Sequence, residues 1–166
     1  MKTNYKYKIE MCDIIRDKIH CHVDKTGIKN FHYSVILPSG VDNGWCKKVA
    51  FGSSENIAYK HMPSKHAEID AYNKIRKYKN MPKKIDIFVI RLSRTGLLAA
   101  SRPCYHCIDM LEKTGLNIIY IYYSNSSGEI VREIFKNMKS SDETYISSGV
   151  RTREYHIKEH KLKNKK

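Results

Sequence analysis

The spacing of apolar residues changes along this chain, and each change of period marks an element. Ile9, Cys12, Ile15 and Ile19 recur at helical spacing with charges between them, which predicts an amphipathic helix over residues 5–19. Residues 20–30 read as a loop. Residues 31–37 are rich in strand formers; Pro38-Ser39-Gly40 and Asp42-Asn43-Gly44 mark a turn, and residues 45–51 return as a second strand of a hairpin. Residues 53–65 are polar, and Pro63 excludes a helix interior there. Ser64 is the predicted cap of a helix over residues 65–78, with Ala67, Ala71 and Ile75 on one face. After Pro82 the nearly continuous apolar run 85–92 predicts a central strand. A loop over 93–102 leads to a helix running to residue 113, with Pro103 at its first position and Gly115 closing it. Residues 117–123 form the next strand, 124–128 a turn, and 129–135 a last alternating strand.

Strands alternating with helices predict an α/β sheet layered with helices. The final turn is too short for a parallel crossover, so the last two strands should form an antiparallel hairpin. Beyond Met138 the periodicity fades. Residues 1–138 therefore read as one domain and 139–166 as a tail. That tail carries Arg151, Arg153, Lys158, Lys161, Lys163, Lys165 and Lys166 against Glu154 and Glu159. It is basic and expected to be partly disordered.

The 166 residues suffice for one core, and 41% of them are hydrophobic. The 31 basic and 17 acidic residues leave a net charge of +14, which favours phosphate-bearing partners, either nucleotides or single-stranded nucleic acid, although lysine also serves simply as a solubilising residue. The five cysteines, Cys12, Cys21, Cys46, Cys104 and Cys107, are odd in number and include one C-x-x-C, which suits a reducing compartment and a metal better than a disulfide framework. The first ten residues have no apolar signal core, and no apolar run approaches a membrane span. The expectation is an intracellular protein, cytoplasmic or nuclear, with no membrane partner.

The chemistry is concentrated in two short segments, His66-Ala67-Glu68 and Pro103-Cys104-Tyr105-His106-Cys107. Cys104 and Cys107 are three apart, so on a helix both thiolates face one ion. The open N–H groups and dipole at a helix start favour the thiolate forms. His66 adds an imidazole. Two thiolates and an imidazole suit Zn2+ and leave one tetrahedral position for water, the arrangement of a catalytic zinc. Glu68 is badly placed to be a fourth ligand beside His66, but it can act as general base and acid on that water. A structural zinc with Glu68 inert is the alternative for these residues alone.

H-x-E followed by P-C-x-x-C is the signature of zinc deaminases. From about residue 31 to 135, in S-K-H-A-E-I-D-A, S-R-P-C-Y-H-C-I-D-M-L and I-I-Y-I-Y-Y-S, the chain resembles the cytidine and deoxycytidylate deaminase superfamily. The resemblance implies a three-layer α/β/α sandwich around a five-stranded mixed sheet. It implies zinc ligation by His66, Cys104 and Cys107 and a proton shuttle at Glu68. It further implies substrate contacts from the Ala67 backbone, from Asn56, and from the loop holding Ser101 and Arg102, and it allows a homo-oligomer. The sequence lacks the F-x-N-x-E motif and the P-C-G-x-C-R-Q form of the free-nucleoside enzymes, which points away from a free nucleoside.

Tyr105, Trp45 and the tyrosines at 120, 122 and 123 are candidate stacking surfaces for bases, with Tyr120 and Tyr122 better read as half-buried sheet residues. Arg91 and Arg94 can meet a phosphate or serve as surface charges. His20-Cys21-His22 reads as a loop and not as a second metal site. The function read from the sequence is hydrolytic deamination of a cytosine-type base to uracil in a nucleotide or single-stranded nucleic acid, as in nucleotide metabolism or nucleic acid editing. Deamination of adenine or another aminated ring stays open. So does a deaminase-fold module that binds nucleic acid without catalysis, which an intact Glu68 argues against.

Overall fold

The computed structural model describes residues 32–39, 50–53, 66–77, 83–93, 95–142, 144–147 and 151. The helix expected over residues 5–19, the cysteines at 12, 21 and 46, Trp45, Asn56, Ser64, Arg94 and the basic residues beyond 151 lie outside them.

The described elements run in the order β1 (His32–Pro38), β2 (Ala50–Ser53), α1 (Ala67–Ile75), β3 (Ile85–Leu92), β4 (Leu98–Ala99), α2 (Tyr105–Lys113), β5 (Ile118–Ser124) and β6 (Ile130–Ile134), followed by a 3-10 turn at Phe135–Asn137. The strands form one mixed sheet in the order β2-β1-β3-β5-β6, with the two-residue β4 paired to β3. β3 and β5 are parallel, and α2 supplies the crossover that a parallel pair requires. The β1–β2, β1–β3 and β5–β6 pairs are antiparallel, so the expected five-stranded mixed sheet and closing hairpin are both present.

The apolar run of β3 is buried on both faces, as a central strand must be. Ile85, Ile87 and Val89 point to the side where Ala71 and Ile75 of α1 and Ile108 and Leu111 of α2 pack, together with Ile36, Ile121 and Tyr123. Phe88, Ile90 and Leu92 point to the other side, with Tyr33, Val35, Leu37 and Tyr122. There Phe88 and Tyr122, in register across the parallel pair, stack at 4.2 Å between ring centroids. Both described helices thus lie on one face. The layer expected on the opposite face has no helix among the described residues.

Two glycines have steric reasons to be glycine. Gly52 of β2 lies directly under α1; a Cβ there would run into the carbonyl of Ala67 and the amide of Ala71. Gly115 follows the end of α2 with φ +71, the left-handed turn that closes a helix without a Cβ penalty.

Both helix starts differ from the sequence expectation. His66, not Ser64, is the N-cap of α1, and Cys104 is the N-cap of α2, so Pro103 precedes the helix and does not occupy its first position. Neither cap makes a side-chain capping bond. The reason is chemical: both side chains turn toward one another across the sheet end. The loop read over 93–102 also contains β4, which pairs Arg91 with Ala99 and Leu92 with Leu98.

No described helix is long and apolar enough to cross a membrane. The segment after the 3-10 turn, read as tail because the periodicity fades there, meets α2 at Lys139 and Tyr145. Lys139 bonds Asp109 and Glu112 at 2.8 Å each, and the amide of Tyr105 donates to the carbonyl of Tyr145 at 2.8 Å.

Candidate metal centre and active site

The site forms where the two helices begin, beyond the carboxyl ends of the parallel strands, where open α/β sheets place their ligands. The approach to α2 is fastened to those strand ends. Ser101 is 1% exposed; its amide donates to the carbonyl of Ser124 at 2.8 Å, and its hydroxyl donates to the carbonyl of Val89 at 2.7 Å and accepts the amide of Ser124 at 2.9 Å. Arg102 is 7% exposed and forms a two-pronged ion pair with Glu133 of β6 at 3.0 and 3.2 Å. Its guanidinium also donates to the carbonyl of Met138 and the hydroxyl of Thr144, both at 3.2 Å. Tyr123 completes the cluster with a hydroxyl donated to Glu133 at 3.1 Å. Ser101 and Arg102, expected at the substrate, therefore have their side chains committed to internal partners that set the path of the chain into Cys104.

At the helix starts, His66 Nδ1 lies 3.1 Å from Cys107 Sγ and 3.5 Å from Cys104 Sγ, and the two sulfurs are 3.6 Å apart. Zinc at tetrahedral angles, with bonds of about 2.3 Å to sulfur and 2.0–2.1 Å to nitrogen, sets sulfurs about 3.8 Å apart and nitrogen about 3.5 Å from each sulfur. The triangle found has nearly those edges, so the donor set fits zinc in kind and in size. Among the described residues, these three form the group able to hold a metal ion.

The electrostatics of the cluster follow from its crowding. Cys104 is held down at about 3, chiefly by its hydrogen bond with Cys107, with His66 adding to the effect. The same bond, followed by burial, pushes the Cys107 thiol well up. His66 is raised by its hydrogen bond with Cys104. Protons thus compete for the three atoms that would hold a cation, which would displace them.

Glu68, the second residue of α1, is 3% exposed, and its carboxyl is within hydrogen-bonding reach of Cys107. Burial raises it above the usual carboxylate range, against the opposing pull of its own backbone and of His66. Ala67 is fully buried at the first position of α1. Tyr105 follows Cys104 and is 36% exposed, edge-on to His106 at 5.8 Å and under the Lys139 ammonium at 5.6 Å.

Two residues beside the site were not singled out from the sequence. His32 opens β1 opposite Arg91 of β3. Burial, then Arg91 and His66, hold its imidazole down at about 4, so it is neutral at physiological pH. The alternation of residues 31–37 carries the signal for it, because His32 shares the face of Ser34 and Ile36. Tyr145 is raised to about 12 by burial and then by the charges of Cys104 and Glu68, which places it at the same cluster. Nothing local in the sequence marks it.

No protein-family model matches the chain, and no curated protein does. Solved structures do. A dCMP deaminase from the cyanophage S-TIM5 is 19% identical, with 58% of this chain and 67% of that chain covered at a TM-score of 0.37. A cytidine deaminase from Burkholderia pseudomallei is 14% identical, with 70% of this chain and 82% of that chain covered at a TM-score of 0.45.

Proposed function

We propose that this chain is a zinc-dependent hydrolytic deaminase that converts a cytosine-type base to uracil in a nucleotide or single-stranded nucleic acid. The observation that carries the reading is the buried Glu68 carboxyl set against a triangle of one imidazole nitrogen and two sulfurs of zinc-binding size. His66, Cys104 and Cys107 would hold the ion, which when bound makes water acidic enough to serve as a nucleophile near neutral pH.

Glu68 takes a proton from the attacking water and delivers it to the ring nitrogen next to the reacting carbon. It then takes the remaining proton from the hydroxyl now on that carbon and passes it to the exocyclic amine, so that the carbonyl forms as the carbon–nitrogen bond breaks, with ammonia as the leaving group and not amide ion. One water is consumed and one ammonia released per base. A carboxyl raised by burial suits this double duty, because it must both accept and return a proton near neutral pH. The Ala67 backbone, at the start of the same helix, is the proposed contact to the base, and Asn56 a contact to the sugar or base. His32 and Arg91, paired across β1 and β3 beside the ligands, bring a neutral imidazole and a cation to this end of the sheet. Together with the net charge of +14, that cation supports a substrate bearing phosphate.

The test is ammonia release by zinc-loaded protein on cytidine, deoxycytidine, dCMP, CTP, adenosine and C-rich single-stranded RNA and DNA, with Glu68→Ala as control. Turnover of phosphate-bearing cytosine substrates that Glu68→Ala abolishes is the expected result. Turnover of adenosine alone, or binding of the polymers that is unchanged in Glu68→Ala with no ammonia from either protein, contradicts it.

A further inference from the structure

Cys104 has two duties that compete. As the N-cap of α2 it would ordinarily use its side chain to satisfy an amide of the first turn, one of the donors that a helix cannot satisfy internally. Its sulfur is instead turned to His66 and Cys107, and it makes no side-chain cap bond. The first amide of the helix, on Tyr105, is satisfied from 40 residues downstream by the carbonyl of Tyr145 at 2.8 Å. The phenol of the same Tyr145 donates at 2.9 Å to the carbonyl of Arg102, two residues before Cys104. One residue therefore grips the chain on both sides of a metal ligand. Thr144, its neighbour, receives a bond from the Arg102 guanidinium, which ties the gripping segment to the same loop.

We propose that Tyr145 is a positioning residue for the metal centre: by holding the Arg102 carbonyl and the Tyr105 amide it fixes Cys104 at the distance from His66 and Cys107 that a zinc ion requires. The inference rests on the zinc reading above. Its physical basis is that a ligand's own flexibility reduces metal affinity, and outer partners that orient ligands typically contribute about 10- to 100-fold. Tyr145 is well suited to the role because the residue is 43% exposed, so its contribution lies more in the two bonds than in core packing.

The experiment uses the full chain. Zinc affinity is measured by competition with a chromophoric chelator, and cobalt(II) is substituted to read the thiolate charge-transfer and ligand-field bands. The proteins are wild type, Tyr145→Phe, Tyr145→Ala and Ile146→Ala. Ile146 is the adjacent residue, 42% exposed, and serves as the control for general loosening of the segment. The expected result is about tenfold weaker zinc binding and altered cobalt bands in Tyr145→Phe, a larger loss in Tyr145→Ala, and wild-type behaviour in Ile146→Ala. Should Tyr145→Ala fail to fold, Tyr145→Phe decides. Wild-type affinity and spectrum in Tyr145→Phe, or an equal loss in Ile146→Ala, overturns the proposal while leaving the zinc reading intact. A wild type that takes up neither zinc nor cobalt overturns both.

Discussion

The two halves of the candidate metal centre are built by different means. His66 and Glu68 sit at the start of α1, which is located by contact: its first turns lie so close on β2 that Gly52 leaves no room for a Cβ. Cys104 and Cys107 sit at the start of α2, whose approach is located by hydrogen bonds from Ser101, Arg102 and Tyr145. The comparison shows that one site can be placed by steric exclusion on one side and by polar connectivity on the other. Contact is intolerant of added volume. Polar connectivity tolerates volume but not the loss of a partner.

Substitutions on the two sides should therefore fail differently. Gly52→Ala places a Cβ against backbone that cannot yield without moving α1, and the expected cost is about 4 kcal/mol or more. Chemical denaturation measures it, and a protein as stable as wild type would mean that β2 and α1 do not touch as described. Arg102→Ala leaves Glu133, whose side chain is 20% exposed, without its guanidinium and should cost about 3 kcal/mol. Arg102→Met with Glu133→Gln should recover much of that loss, because most of it comes from leaving the Glu133 carboxylate without its cation. A double variant no better than Arg102→Ala would contradict the polar account.

His32 lies between the two halves and sharpens the comparison through pH. Its folded pKa of about 4 is below the ordinary 6.5, so its contribution is present above pH 6.5 and is lost as pH falls toward 4. The loss between those limits should reach about 3 kcal/mol. His32→Gln should remove that part of the acid sensitivity, seen as a flatter dependence of melting temperature on pH between 6.5 and 4. An unchanged slope would place the titration elsewhere.

The parts of the molecule legible in the sequence are those fixed by local pattern. Strand-forming runs and turn residues located β1, β3, β5 and β6, with the polar run after Ser124 separating β5 from β6. Spacing paired Cys104 with Cys107, and the resemblance to zinc deaminases joined them to His66 and Glu68. β4 was missed because two residues carry no periodicity. The helix starts were misplaced because Ser64 and Pro103 are ordinary starting residues, whereas the caps are His66 and Cys104, two of the proposed ligands. His32 reaches the site through strand pairing, which alternation marks only by face, and Tyr145 through a return of the chain that leaves no local trace. Ser101 and Arg102 were expected at the substrate by resemblance, and their side chains face internal partners.

The central claim is that Glu68 moves protons at a zinc held by His66, Cys104 and Cys107. The most direct measurement pairs zinc content with ammonia release for wild type and Glu68→Ala on dCMP and C-rich single-stranded DNA. The account predicts one zinc per chain in both proteins, release by wild type, and a rate at least about a hundredfold lower in the variant. Equal rates in the two proteins, or a zinc-loaded wild type that releases no ammonia from either substrate, would contradict it.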